Sequence, residues 1–336
     1  MTHSESSVPR SRPVESHALR LDWSQAYWLV PAALAVAPAL GMSDFSQSLL
    51  LEVMVFAVLA MSLDLLLGQT GLVSLGHAAF FAIGAYAAAL SANYLCTDVL
   101  VTSCIAVAAG ALLALPIGSL CIRLPGFYFL MITFAFSQMI FQVAFRWAKL
   151  TGGSDGLLVS SPTLFGSSVL TSRLQLYVTT LVIFVLCFVL LRQVRKSSFG
   201  QVLVGIRENT RRMRALGYNV RTYKLMAFTL SASIAAFIGA IYVQFSLFVS
   251  PDTAHWAQSA TVLVMVLIGG AGTAVGPVIG AAAILLLQHN LSSYTEHWNA
   301  VLGLLFVIVI WFSPDGLAGL IQRMNLRARG SGDAGH

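Results

Sequence analysis

The segment LQLYVTTLVIFVLCFVLLRQVRKSSFGQVLVGIRENTRRMRALGYNVRTYK, residues 174–224, joins an uncharged apolar run to a strongly basic stretch. The run from Leu174 to Leu191 approaches the roughly 20 residues that an α-helix needs to cross the hydrocarbon core of a bilayer. Nine of the chain's 19 lysines and arginines follow it, and Glu208 is the only acid among them. Because basic segments beside spans stay in the cytoplasm, we expect a membrane helix that leads into a cytoplasmic loop, residues 192–224.

The composition of the whole chain indicates an integral membrane protein. Of its 336 residues, 57% are hydrophobic and 10% are charged, whereas about a quarter of the residues in a soluble domain are charged. Long windows contain no Asp, Glu, Lys or Arg, namely 65–97, 99–122, 124–145, 174–191, 225–251, 253–295 and 297–314. These windows are continuously apolar, whereas the strands of a membrane barrel alternate apolar and polar residues. The predicted fold is therefore all-α and polytopic, embedded in a lipid bilayer.

The positions of the basic residues also set the expected number of spans. The polar N-terminal tail, residues 1–25, and the C-terminal tail, residues 322–336, are basic like the loop, so we expect all three in the cytoplasm. An even number of spans is then required on each side of the loop. The transmembrane region, residues 26–321, divides into ten predicted helices: 27–42, 47–67, 77–94, 99–121, 125–145, 173–191, 225–249, two within 253–295 that separate at GGAGTAVGP (269–277), and 298–313.

Within the basic loop, apolar residues recur at helical spacing between charged ones. Ile206, Met213, Leu216 and Val220 follow this pattern, and Gly217 is a helix stop signal. We expect a short amphipathic cytoplasmic helix that docks against a soluble partner. Binding to anionic lipid headgroups alone is the alternative. The candidate docking residues are Arg207, Glu208, Arg211, Arg212, Leu216 and Gly217.

Four segments, in order along residues 60–320, carry a resemblance to a known family. They are LLLGQTGLVSLGHAAFFAIGAYAAAL (65–90); RLPGFYFLMITFAFSQM (123–139) with LTGGSDGL (150–157); SSFGQVLVGIRENTRRMRALGYNVRTYKL (197–225); and FVSPDTAHW, VLIGGAGTAVGPVIGA and WFSPDGLAGL towards the C-terminus. With these segments the chain resembles the LivM-type membrane subunits of branched-chain amino-acid ABC importers. In that family the basic loop is similar in role to the EAA loop, whose helix seats in a cleft of an ATPase subunit. Glu208 and Gly217 match that pattern, whereas Asn209 and Thr210 replace its two alanines.

The resemblance implies a permease subunit that moves branched-chain or other hydrophobic amino acids across a bacterial inner membrane. The partners that it implies are a second permease subunit, two cytoplasmic ATPase subunits and a periplasmic substrate-binding protein, with no nucleic acid. The sequence contains no G-x-x-x-x-G-K-[ST] motif and no glycine followed by lysine. Because such a motif is needed to wrap nucleotide phosphates in the Walker manner, we expect ATP and Mg to be bound by the partner ATPases. We expect no cofactor and no enzymatic activity in this chain.

Polar side chains inside apolar windows are costly in lipid and are therefore candidates for the translocation pathway. One cluster lies among glycines between the second and third predicted spans, and the other lies in the fifth. For both clusters, lining of the pathway and a purely structural role remain open. For His77 we favour a helix-start residue bonded to backbone over a proton carrier. The candidates are Gln69, Thr70, Ser74 and His77, and Thr133, Ser137, Gln138 and Gln142.

Three further features of the sequence carry predictions. Gly272, Gly276 and Gly280 form successive GxxxG steps, which predict close helix packing rather than ligand contact. Asp155, in the external segment TGGSDG (151–156), is expected either to contact a binding protein or to be solvated. The four cysteines form no CxxC pair, so we expect them to be buried as small apolar side chains and predict no metal site.

Two other functions remain open on the sequence alone. A urea or short-amide ABC permease would need a small polar pocket. An ion-coupled carrier or channel that acts alone would need acids or bases within its spans, and Asp64 and Glu52 have no evident charge partner in the sequence.

Overall fold

The computed structural model of the protein describes residues 44–124, 126–163, 173–292 and residue 303. This part of the chain is almost entirely helical. Its helices are α1 (Asp44–Thr70), α2 (His77–Tyr94), α3 (Val99–Cys121), α4 (Phe127–Arg146), α5 (Ala148–Thr151), α6 (Arg173–Lys196), α7 (Ser198–Glu208), α8 (Thr210–Ala215), α9 (Val220–Ser246), α10 (Trp256–Gly269) and α11 (Gly276–Ser292). Five of them, α1, α3, α4, α6 and α9, are long and apolar enough to cross a membrane, and α10 and α11 are shorter apolar helices.

Short connections close the two ends of the helix bundle. At one end, strands β1 (Leu157–Leu158) and β2 (Phe248–Val249) pair antiparallel, which joins the segment after α4 to the segment after α9. Asn93, near the end of α2, donates to the Leu158 carbonyl at 2.9 Å at the same end. At the other end, the α6–α7 connection lies against α1, and Arg221 at the start of α9 donates to the Ser119 carbonyl of α3 at 3.4 Å. Asp155 and the basic loop are therefore at opposite ends of the bundle.

Helix α1 is the centre of the bundle. Of the residues in its apolar window 83% are buried, against 22% for α4, which lies at the periphery. The side chains of Val55, Val58 and Leu59 are completely buried. Aromatic side chains fill the space between the helices around it. The rings of Phe80 and Phe129, from α2 and α4, both pack edge-on against Phe228 of α9, with centroids 5.5 and 6.1 Å apart.

Glycines allow α2 and α9 to approach closely in two places. A Cβ atom on Gly84 would overlap the backbone carbonyl of Ala236, and one on Gly239 would overlap the carbonyl of Phe81. In lipid no hydrophobic effect drives helices together, so close backbone approach through small residues supplies the packing. Gly239 belongs to the small-residue series Ser231, Ala235 and Gly239, all of which are buried or in tight contact.

The fold confirms one of the sequence predictions about the helices and contradicts the one about the cysteines. The uncharged run 253–295 does divide at its glycine-rich breaker, because α10 ends at Gly269 and α11 begins at Gly276. The predicted span 27–42 lies outside the described residues, as does the span 298–313 apart from residue 303, so the total of ten spans stays a prediction. The prediction that all four cysteines are buried is wrong, since Cys96 and Cys104 are exposed while Cys121 and Cys187 are buried. Both exposed thiols lie in or beside helices at the periphery of the bundle.

We expect Gly84→Ala to lower the free energy of unfolding by about 1–3 kcal/mol. The added methyl group would meet the Ala236 backbone, which cannot rotate away as a side chain can. The drop should appear in the thermal unfolding midpoint of the detergent-solubilised protein. Ala108→Val adds carbon to an exposed position of α3 and is the matched control. Equal midpoints for the two variants would contradict the close α2–α9 contact.

Candidate functional site

The carboxylate of Asp64 is the most unusual group in the central helix. It is completely buried within α1, six residues before the helix ends. A buried charge is costly unless a partner of opposite charge and hydrogen bonds compensate it. Asp64 has both: its Oδ2 forms an ion pair with Arg195, and its Oδ1 accepts from the backbone N–H of Gly272 at 2.7 Å. One side chain therefore contacts two other segments of the protein.

Arg195 reaches Asp64 from the last turn of α6. Its side chain is only 10% exposed, although it belongs to the basic segment. The chain then turns sharply into α7, whose first turn is capped by the Ser197 hydroxyl accepting from the Gly200 N–H at 3.4 Å. Gly200 is needed here because a Cβ atom would overlap the carbonyls of Val194 and Arg195. This sharp turn holds α7 against the end of α1.

The third segment at the site is the turn between α10 and α11. Gly270 and Gly272 have φ angles of 107° and 82°, which residues with a side chain rarely adopt. Gly68 of α1 lies directly against this turn, since a Cβ atom on it would overlap both the Asp64 carboxylate and the Gly272 backbone. Three glycines thus let the turn come close enough for its N–H to reach Asp64.

Arg207 of α7 completes the arrangement. Its Nη1 donates to the Gly68 carbonyl at 2.5 Å, next to the contact between Gly68 and Gly272. We refer to Asp64, Gly68, Arg195, Arg207 and Gly272 as the Asp64 cluster. It joins the central helix, the basic loop and the α10–α11 turn through charged and backbone groups, all at one end of the bundle.

The basic loop contains two short helices where the sequence predicts one short amphipathic helix that ends at Gly217. Asn209 separates α7 from α8, and its side chain accepts from the Arg212 N–H at 3.0 Å as the N-cap of α8. Asparagine favours such a cap over a continuous helix. Met213 folds back onto Gly205, so the two helices pack together. Gly217, with φ of 88°, ends the second helix as predicted, and the Tyr218 N–H donates to the Met213 carbonyl at 3.1 Å.

The predicted docking residues therefore divide between two surfaces of the loop. Leu203 and Ile206 of α7 are buried towards the bundle, and the guanidinium of Arg207 contacts α1. Glu208 and Gly217 are exposed at the ends of the short helices. Three arginines and one leucine are exposed on the outer side of the loop. We call these residues the α8 surface: Arg211, Arg212, Arg214 and Leu216.

The first cluster of predicted pathway residues is enclosed. Gln69, Thr70 and Ser74 are buried, and Thr70 donates to the Leu66 carbonyl at 2.7 Å. His77 begins α2 as expected, but its ring bonds the Ser231 hydroxyl at 2.7 Å instead of a backbone group. Ser231 in turn donates to the Ser62 carbonyl. These contacts join α1, α2 and α9.

The polar residues of α4 face two directions. Thr133 and Ser137 are buried, where Thr133 Oγ1 accepts from the Leu75 N–H at 3.3 Å and Ser137 donates to the Ala254 carbonyl at 3.3 Å. Gln138 is half-buried, and Gln142 is exposed. Gln142 lines an open groove of about 510 Å³ together with Met139, Val143, Arg146 and Trp147. Of these four residues, only Gln142 is therefore placed to meet a molecule outside the described bundle, because the amide nitrogen of Gln138 is buried.

The three glycines predicted to form a helix-packing series do not all lie on a helix. Gly276 and Gly280 belong to α11, where Cβ atoms would overlap carbonyls at the end of α10. Gly272 lies in the preceding turn, so its predicted part in helix packing is wrong. The four-residue spacing between Gly272 and Gly276 looks the same in the sequence whether Gly272 lies in a helix or in a turn. Only its positive φ shows that it lies in a turn. At the opposite end of the bundle, Asp155 is exposed and accepts from the Ser154 hydroxyl at 3.1 Å.

Comparison with known proteins identifies the family. The model of the family described as branched-chain amino acid transport system / permease component matches residues 45–310, which include the whole Asp64 cluster. The chain belongs to this family. It is an all-α, multi-pass membrane protein and a permease subunit of an ABC importer.

Individual relatives agree with this assignment. The permease is 29% identical over 311 residues to the high-affinity branched-chain amino acid transport system permease protein LivM of Escherichia coli K12, a match that covers 84% of this chain and 72% of that protein. LivH of Salmonella typhimurium is 23% identical over 299 residues, with 79% and 91% covered. The probable LivM of Methanocaldococcus jannaschii is 20% identical over 200 residues, with 54% and 57% covered. No solved structure matches the permease.

Sequence reasoning missed the partner of Asp64. One signal was present, because a carboxylate near the end of an apolar helix requires a cation or hydrogen bonds. The basic loop offered nine cations without distinguishing among them. Arg195 is the partner because it is the cation in the last turn of α6 that points back into the bundle.

We expect Asp64→Ala to lower the free energy of unfolding of the permease by about 3–5 kcal/mol, because it leaves the Arg195 guanidinium buried without a counter-charge. The thermal midpoint in detergent measures the loss. Asp155→Ala removes an exposed carboxylate and should leave the midpoint almost unchanged. The double variant Asp64→Leu with Arg195→Met should recover most of the loss, since no buried charge remains. A midpoint for Asp64→Ala equal to that of Asp155→Ala would show that the ion pair contributes little.

Proposed function

We propose that this permease subunit carries branched-chain or other hydrophobic amino acids across a bacterial inner membrane, with energy from separate ATPase subunits. The observation that carries the ATPase part of the proposal is the geometry of the basic loop, and the cargo is proposed from the family description and from the relatives named LivM and LivH. Its inner side is bonded to the central helix by Arg195 and Arg207, and its outer side presents the α8 surface. A loop that is fixed to the bundle and exposed outwards is suited to receive force from a partner.

The α8 surface supports an ATPase as that partner. Three arginines and an exposed leucine, 66% accessible, lie on about one and a half helical turns. Charged groups around an apolar contact give orientation and specificity to an interface. ATP and Mg would be bound by these ATPases, since no Walker motif occurs in the sequence. The relatives named LivM and LivH support a second permease subunit as a further partner.

The proposed topology follows from the two ends of the bundle. We assign the end with the basic loop to the cytoplasm, by the excess of lysine and arginine there. Asp155 and the β1–β2 pair then face the periplasm, where a substrate-binding protein would deliver its cargo. With the predicted spans 27–42 and 298–313, the chain would have ten spans within residues 26–321 and both tails in the cytoplasm.

The groove on α4 is the proposed contribution of this subunit to the pathway. Gln142 is an exposed amide on a helix of which only 22% of the apolar window is buried. Polar groups in a span normally face protein or an aqueous cavity, because lipid cannot satisfy their hydrogen bonds. Gln142 would therefore face the second permease subunit, with the pathway between the two subunits.

A pull-down of the tagged chain from detergent-solubilised native membranes tests this proposal. Mass spectrometry should identify Walker-motif ATPases and a second multi-spanning subunit. Arg211→Glu with Arg212→Glu should lower ATPase recovery and leucine uptake at least about tenfold, because it reverses charge at the proposed interface. The amount of chain in the membrane and the recovery of the second permease subunit should stay the same.

Lys149→Glu, an exposed charge reversal at the opposite end, is the control and should retain the ATPases. Unchanged ATPase recovery with the double arginine variant would remove the docking role of the α8 surface. Recovery of the chain alone, still able to transport in liposomes without ATP, would instead support an ion-coupled carrier or channel.

Single cysteines at Asp155 and Glu208 test the topology. In a chain with Cys96→Ser and Cys104→Ser, which removes the two exposed native thiols, a membrane-impermeant maleimide should label position 155 in intact spheroplasts. Position 208 should react only after the membrane is permeabilised. Labelling of both positions in intact spheroplasts would contradict the assignment of the two ends to opposite sides of the membrane.

A further inference from the structure

The two oxygens of Asp64 bind different parts of the protein. Oδ2 pairs with Arg195 at the end of α6, where the basic loop begins, and Oδ1 accepts from the Gly272 N–H in the α10–α11 turn. The carboxylate is a rigid group on a fully buried side chain. A displacement of Arg195 by more than a hydrogen-bond length would therefore move Asp64 or break the pair.

The α10–α11 turn is tied to the helix that follows it. Thr273 donates its hydroxyl to the Gly270 carbonyl at 2.8 Å, and the same hydroxyl accepts from the Gly276 N–H at 2.9 Å. Gly276 is the first residue of α11, which packs along α10 and α1. A shift of the turn is therefore passed to the start of α11 through short hydrogen bonds.

Arg207 provides a parallel connection. It extends from α7, on the basic loop, to the Gly68 carbonyl, and Gly68 is in direct contact with Gly272. Both arginines of the Asp64 cluster thus come from the basic loop. Arg195 contacts Asp64 and Arg207 contacts Gly68, and each of these two α1 residues in turn contacts Gly272. Packed elements that are joined in this way change between discrete arrangements instead of deforming gradually.

We propose that Asp64 and Arg195 are positioning residues that transmit movement of the basic loop to the α10–α11 turn during the transport cycle. The proposal deepens the function proposed above and rests on it. The loop receives force at the α8 surface, and the Asp64 carboxylate connects the inner side of the loop to the turn. The hydrogen bond from Gly272, rather than the charge pair alone, carries the connection to α11.

Two double variants separate transmission from simple charge balance. Asp64→Leu with Arg195→Met leaves no buried charge, but it removes the acceptor for the Gly272 N–H. Asp64→Asn with Arg195→Gln also leaves no charge, and it keeps a carbonyl oxygen for Gly272 and an amide pair in place of the ion pair. Both variants first need a detergent midpoint near that of the unaltered permease, which shows that they fold.

The measurement is the number of ATP molecules hydrolysed per leucine imported by the complete complex, purified with its own partners and reconstituted in liposomes. We expect the apolar pair to raise this ratio at least about fivefold, and the amide pair to stay within about twofold of the unaltered complex. Arg221→Gln is the control, since it removes an arginine–carbonyl contact at the same end without touching the cluster.

Equal ratios in the apolar and amide pairs, whether both raised or both unaltered, would overturn the proposed transmission. If the single variant Arg207→Gln raises the ratio while Arg221→Gln does not, the parallel connection through Gly68 is supported, and equal ratios for these two would contradict it. An unaltered complex that shows no ATP-driven import of leucine, isoleucine, valine or another hydrophobic amino acid would overturn the proposed function itself, and the transmission proposal with it. Equal ratios in the two double variants, or in Arg207→Gln and Arg221→Gln, leave the proposed function unaffected.

Discussion

Close contact between helix backbones is the constraint on which this bundle depends. Lipid chains are as apolar as leucine, so burying leucine between helices gains little in a membrane, and association relies on packing and hydrogen bonds. Gly84 and Gly239 bring α2 and α9 together at two carbonyls, and Gly280 does the same for α10 and α11. The hydrogen bond between His77 and Ser231 joins the two helices that Gly84 and Gly239 bring close, and Ser231 also donates to the Ser62 carbonyl of α1. This buried polar contact between α2 and α9 therefore depends on their close packing.

Buried charge within the described bundle is concentrated at the junction between the membrane helices and the basic loop. The Asp64 cluster puts a carboxylate, two guanidinium groups and a glycine turn at the boundary between the membrane helices and the basic loop. An apolar contact at the same place would tolerate sliding, because dispersion forces have little directional preference. The hydrogen bonds of the Asp64 cluster tolerate much less sliding, because the strength of a hydrogen bond falls steeply as its distance and angle depart from the optimum. The cluster therefore suits a position at which relative movement must be transmitted.

Much of the architecture could be predicted from the sequence, because helix formation in a membrane follows from apolar length alone. The division of the 253–295 run at its glycines and the stop at Gly217 follow from local backbone preferences. The partner of Asp64 could not be predicted, since it is chosen by tertiary contact across 131 residues. The break at Asn209 was missed because its apolar neighbours keep a helical spacing on both sides. The helical spacing of Thr133 and Ser137 predicts that they share a helix face, but it does not predict whether that face meets a pathway or another helix.

The separation between Asp64 and Arg195 has a consequence for biogenesis. At typical synthesis rates of 5–20 residues per second, α6 leaves the ribosome on the order of 10 s after α1. During that interval Arg195 is not yet available to the carboxylate of Asp64. Ion pairing with Arg195 then accompanies the arrival of α6. The contacts of the central helix are therefore completed only after α6 and the α10–α11 turn have been made.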